Sequence, residues 1–136
     1  VSYAANELLY LNLIRELLCA KLDGETFCGA FMRQWKADRD EQIAKSESWP
    51  ERYDLQLIEA YQRGALTAEE FHRKWAELWG YTEYDSLCEM LDRVFTVCDC
   101  FAPAPEGPCE VSEDQLKQEV SEILRCYEER KAKPYP

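Results

Sequence analysis

The sequence predicts an all-α fold, a single-domain antiparallel bundle of about six helices that contains two similar αα-hairpins. Three observations carry this expectation. No segment of useful length alternates apolar and polar residues, whereas apolar residues recur at spacings of three and four throughout. Glycines at 24, 64 and 80 and sequences suited to helix caps cut these patterns into helix-sized lengths. The 136 residues, 46% hydrophobic and 32% charged, suit one compact domain and not a disordered acidic tail. The expected domain spans 1–130, with a frayed tail at 131–136.

The first helix carries Leu9, Leu13, Leu17 and Leu18, with Leu8, Leu11 and Ile14 on neighbouring faces, and is expected to be central and to stop at Gly24. The second presents Phe27, Phe31 and Trp35, then turns polar from Lys36 to Glu47. Ser48-Trp49-Pro50-Glu51 has the form of a capping box opening the third helix, which carries Leu57, Ile58 and Tyr61 and stops at Gly64. Thr67-Ala68-Glu69-Glu70 is a second box, opening a helix with Phe71, Trp75, Leu78 and Trp79 that ends at Gly80. Thr82 is expected to cap a fifth helix striped by Leu87, Cys88, Leu91, Val94, Phe95 and Cys98. Pro103, Pro105, Gly107 and Pro108 mark the one substantial loop. Ser112-Glu113-Asp114-Gln115 is a third box, and Leu116, Val120, Ile123, Leu124 and Tyr127 give the last helix a buried face.

A shift of forty positions aligns Leu17 with Leu57, Ala20 with Ala60 and Gly24 with Gly64, and also Phe31 with Phe71, Arg33 with Arg73 and Trp35 with Trp75. The repeated unit is a helix, a glycine, a turn and a helix with Phe-x-x-x-Trp. An αα-hairpin with the aromatic residues packed inward accounts for it.

Sixteen Lys and Arg against twenty-seven Asp and Glu give a net charge of −11. Neither nucleic acid nor an anionic membrane attracts a surface of that sign, so neither is expected as a direct partner. Asn12, Arg15, Glu16 and Lys21 interrupt the most apolar stretch, so no membrane span is expected there. No basic leader with a small-residue cleavage site is recognisable, and the expected location is the cytoplasm. Seven cysteines, most within helical patterns, fit reduced thiols; Cys19, Cys88 and Cys126 suit small core positions. Cys98, Cys100 and Cys109 leave a zinc- or redox-responsive role open, although no Cys-x-x-Cys pair occurs.

Catalytic equipment is sparse. The single histidine, His72, lies on an amphipathic helix, and no phosphate-binding glycine loop, nucleophile elbow or His-Glu-x-x-His sequence is present. We therefore expect no enzyme, no cofactor and no resident metal. The acid is clustered: Asp38, Asp40, Glu41 and Glu47 on the second helix, Glu83, Asp85, Glu89 and Asp92 on the fifth, and Glu106, Glu110, Glu113, Asp114, Glu119 and Glu122 beyond it. A face of this kind can occupy the cationic groove of a nuclease and speed the encounter.

Several stretches resemble a known family. They are Leu17-Leu18 through Gly24 to Phe31 and Trp35, then Arg63-Gly64-Ala65-Leu66-Thr67-Ala68-Glu69-Glu70-Phe71. A further stretch runs from Leu91-Asp92-Arg93-Val94-Phe95 to Asp99, followed by the proline-rich loop and the acidic helix start at Glu113. In these the chain resembles the colicin-D-type self-protection immunity proteins, a family that includes immunity proteins of contact-dependent growth inhibition systems. The resemblance implies a helical cytoplasmic protein that binds the C-terminal nuclease domain of a cognate toxin, often a tRNase, and blocks its active site. The candidate binding residues come from charge and residue type instead. Asp38, Asp40, Glu41, Glu83, Asp85, Glu89 and Asp92 would pair with the toxin's cations, and Trp49, Tyr53, Tyr81 and Tyr84 would anchor beside them. The alternative function is an acidic helical adaptor with no toxin partner, and self-association stays open.

Overall fold

The computed structural model describes residues 3–79 and 86–132, except the side chains of Ser46 and Trp79. A 3-10 turn at Ala4–Asn6 leads into six α-helices: α1 Glu7–Leu18, α2 Gly24–Glu47, α3 Tyr53–Gln62, α4 Ala68–Trp79, α5 Ser86–Cys100 and α6 Glu113–Ala132. The described residues contain no strand, and the fold is an all-α helical bundle. The expected stop at Gly80 and the cap at Thr82 lie outside the described residues.

The core joins the N-terminal turn, α1, α2, α5 and α6. Tyr10, Ile14 and Leu17 of α1 meet Phe27 and Phe31 of α2, Leu91 and Val94 of α5, and Leu116, Val120 and Ile123 of α6. The buried stripe of α1 therefore runs through Tyr10, and Leu8 and Leu9 are exposed, so α1 is less enclosed than its leucine content suggests. Trp35 packs on Phe95 with ring centroids 4.3 Å apart, which seats α2 against α5. Cys28 and Cys98 are both buried in this core, and the neighbouring Cys28 thiol together with burial pushes the Cys98 thiol up. Cys88 is buried as expected, but Cys19 is exposed at the end of α1 and Cys126 only half-buried on α6.

Among the described residues the hairpin α3–α4 adds nothing to that core, and its α4 packs on α2. Its own contacts are aromatic, with Tyr61 and Phe71 stacked at 4.9 Å and Phe71 and Trp75 at 5.4 Å. Buried Gln42 of α2 donates its amide to the Glu77 and Leu78 carbonyls, both at 2.8 Å. Carbonyls in the last turn of a helix have no intrahelical partner, so this one side chain both satisfies α4 and fixes it on α2.

The local grammar holds at two of the three capping boxes. Thr67 Oγ1 accepts from the Glu70 N–H at 3.1 Å, and Ser112 Oγ accepts from the Gln115 N–H at 3.2 Å while Gln115 returns the bond at 2.9 Å. The Ser48 box does not form. Helix α2 continues to Glu47, Ser48 donates backwards to the Lys45 carbonyl at 2.6 Å, and α3 starts only after Arg52, whose φ is 59°. A side chain that binds the preceding helix is not free to cap the next one.

The hairpin repeat is real in the structure, but its register is one helical turn later than the sequence alignment. The reversal after α1 is at Ala20 (φ 63°) and that after α3 at Gly64 (φ 78°), forty-four positions apart. The flanking hydrogen bonds keep the same spacing. Lys21 N–H donates to Glu16 as Ala65 does to Ala60, at 2.8 and 2.9 Å, and Ala20 donates to Leu17 as Gly64 does to Tyr61, both at 3.1 Å. Phe27–Phe31 and Phe71–Trp75 are then the equivalent ring pairs.

Gly24 is consequently not a helix stop. It opens α2, one residue after Asp23, whose carboxylate accepts the Thr26 N–H at 2.7 Å and is thereby held below the usual carboxylate range. The Gly24 N–H donates to the Glu113 carboxylate in the first turn of α6, so one acid serves the positive ends of two helices. A Cβ at position 24 would lie 2.9 Å from the Phe101 ring and 3.0 Å from Glu113. Phe101 is held in place by a bridge to Val111, with bonds of 2.8 and 2.9 Å closing the base of the proline-rich loop. At the other end of α6, the first two residues of the expected tail are helical, and 133–136 lie outside the described residues. The helix runs to Ala132, Lys131 reaches Glu7 at 2.5 Å, and Tyr127 donates to the same carboxylate.

Gly24→Ala is expected to destabilise the protein by about 1–3 kcal/mol, from overpacking against Phe101, although alanine is the better helix former. Ala20→Gly is expected to add about 1 kcal/mol by removing the side chain from a left-handed position. Urea denaturation of both variants checks the pair; a stabilising alanine at 24 would contradict the close approach.

Candidate functional site

The expected acidic residues divide into groups that the sequence could not separate. Asp38 is the clearest correction. It is 2% exposed, and its carboxylate accepts from the Tyr10 hydroxyl, from Asn6 Nδ2 at 2.8 Å and from Gln34 Nε2 at 3.2 Å. A carboxylate with three donors inside the fold belongs to the α1–α2 contact and has no face to offer a partner. Burial, then the bond to Asp38, pushes the Tyr10 hydroxyl well above its ordinary range. Asp40 and Glu41 are exposed on α2, with Asp40 held by neighbouring Arg39 at 3.0 Å. Trp49 in the turn after α2 packs edge to face at 4.4 Å on Tyr53, the first residue of α3, each half-buried. Glu83, Asp85, Tyr81 and Tyr84 lie outside the described residues.

Two residues of the expected set, Glu89 and Asp92, belong to a groove along the α5–α6 seam. Its main part has a volume of 480 Å³ and is lined by Asp92, Arg93, Thr96 and Val97 of α5 and by Glu119, Glu122 and Ile123 of α6. A much smaller extension, sharing Arg93 and Ile123, continues past Glu89 towards Arg130. The origin of this arrangement is local. Glu89 and Asp92 are three residues apart on α5, and Glu119 and Glu122 three apart on α6, so each helix carries its pair on one face. The α5–α6 packing then sets the two pairs on opposite rims, with Val97 and Ile123 as an apolar floor.

The four carboxylates are not equivalent. Glu122 is held by Arg125, which donates to both its oxygens, and this keeps Glu122 below the usual carboxylate range. Glu89 is paired with Arg130 across the seam. Among the described residues, Asp92 accepts only from the Cys88 thiol, a weak donor, at 3.5 Å, and Glu119 has no ion pair. Partial desolvation raises Asp92 above its ordinary value, and the Cys88 bond opposes this without cancelling it. Glu119 and Glu122 were visible as acid on the last helix; what the sequence did not reveal was that α6 would bring them opposite Glu89 and Asp92.

The cysteines proposed for metal or redox chemistry stand in different surroundings. Cys98 is buried in the core, Cys100 is half-buried and Cys109 is exposed in the loop. Among the described residues, no group of three or more His, Cys, Asp or Glu is arranged to hold a metal ion, and no helix is long and apolar enough to cross a membrane. The fold and site define a class in general terms only: an acidic helical bundle with a charged groove along one helix pair. No protein-family profile, no curated protein and no solved structure matches the chain.

Because Asp92 is raised in the folded state, its ionisation opposes folding once the pH exceeds its ordinary value of 3.8. The penalty is fully present above the folded-state value and disappears below 3.8. Asp92→Asn is therefore expected to stabilise the protein at neutral pH, with the gain fading as the pH falls through that window. Thermal melts of both proteins across the acidic range check this; equal stabilisation at every pH would contradict the desolvation account.

Proposed function

We propose that this protein is a stoichiometric, non-catalytic binding protein that neutralises the basic nuclease domain of a cognate bacterial toxin. The observation that carries the reading is the α5–α6 groove. Two rims of carboxylate over an apolar floor offer a cationic protein surface what RNA phosphates otherwise offer it. The net charge of −11 supplies long-range attraction, and the exposed acids Asp40 and Glu41 add to it without belonging to the groove. The toxin class and the cytoplasmic setting come from the family resemblance of the Leu17–Trp35, Arg63–Phe71 and Leu91–Asp99 stretches.

The test is co-expression with short basic C-terminal domains from the large secreted proteins encoded beside the gene, followed by co-purification and a growth-protection assay. Asp92→Lys and Glu119→Lys are expected to slow association about tenfold or more at low salt, with a smaller effect from Asp40→Lys. Full protection and an unchanged association rate in all three variants would refute the charge-based mechanism. A stable partner that is not a nuclease would favour the adaptor alternative.

A further inference from the structure

The seam has four carboxylates on its rims, and the chain's own arginines already answer two of them. Arg125 engages both oxygens of Glu122, and Arg130 crosses to Glu89. Asp92 and Glu119 line the larger part of the groove beside Val97 and Ile123, and among the described residues neither has an arginine of its own. Arg93 lies on the rim, near enough to lower Glu122 through its charge, and it lines both parts of the groove. The space, 480 Å³, falls within the range of about 300–1,000 Å³ typical of ligand pockets and exceeds what one side chain fills.

We propose that the α5–α6 groove receives an arginine-bearing segment of a basic protein partner, with the guanidinium between Asp92 and Glu119 and its methylene stem on Val97 and Ile123. This deepens the binding role proposed above by naming the side chain that enters. Arginine fits better than lysine for two reasons. A planar guanidinium presents donors to two separated carboxylates at once, and its weaker hydration lets it lie on an apolar floor. The stem contributes contact area that a point charge at the rim would not. Asp92, partly desolvated and served by a thiol alone, is the carboxylate that gains most from an incoming donor. Arg93 is the resident competitor for the same carboxylates.

The probe is tetra-arginine against tetra-lysine, titrated into the isotopically labelled full chain at matched ionic strength. Tetra-arginine is expected to move the Thr96, Val97 and Ile123 signals and to bind at least about fivefold more tightly than tetra-lysine. Asp92→Asn combined with Glu119→Gln should weaken tetra-arginine at least about fivefold. Arg93→Gln should tighten it, a change of sign that a general loss of folding would not produce. Equal affinity for the two peptides, shifts centred on Asp40 and Glu41, or a double variant that binds as the parent does would each overturn the proposal. Groove binding of tetra-arginine with no nuclease partner found would leave this inference standing and remove the toxin reading, while a nuclease complex that spares the seam would do the reverse.

Discussion

Carboxylates outnumber cations by eleven in a chain of 136 residues, and the folded state has to hold them close together. Self-repulsion of this size opposes a compact state unless the acids are given donors, dipoles or distance. The fold does this chiefly by assignment. Asp23, Glu70 and Glu113 serve helix N-termini, where unsatisfied N–H groups and the helix dipole favour negative charge. Asp38 is enclosed by three donors and joins α1 to α2. Glu7, Glu89 and Glu122 are tied to basic residues of α6 or across the α5–α6 seam, and Glu110 accepts a backbone N–H inside the proline-rich loop at 2.7 Å.

Seen this way, the acidity has two consequences. The internal assignments join pieces distant in sequence: Gly24 to Glu113, Glu7 to Lys131, Asp38 to Asn6. Of the carboxylates left over, Asp92 and Glu119 lie where α5 and α6 meet and line the groove between them. Helix packing thus turns a diffuse charge into a shaped one. A shaped charge can select a partner by geometry, whereas a diffuse one only attracts.

Much of the fold was legible because its signals are local. Periodicity placed the buried faces of α5 and α6, and the Thr67 and Ser112 boxes depend on residues three apart. What could not be read depends on contacts distant in sequence. Asp38 looks like its neighbour Asp40 until Tyr10 and Asn6, about thirty residues earlier, are brought beside it. Gly24 is a glycine because of Phe101 and Glu113, and its position near the end of the leucine-rich helix imitated a stop. The repeat misregistered by four residues because a shift of about one helical turn keeps every residue on nearly the same face. The seam follows the same division, since the acidic pairs on α5 and α6 are visible singly and their apposition is not.

The fold sorts its carboxylates into well-served ones and one, Asp92, that is partly desolvated at the seam with only a thiol donor. A carboxyl-carbon NMR titration of the intact protein tests it most directly. The account predicts that Asp92 titrates above the ordinary aspartate value of 3.8, while Asp23 and Glu122 titrate below their ordinary values of 3.8 and 4.5. An Asp92 at or below 3.8, or Asp23 and Glu122 without depression, would contradict it.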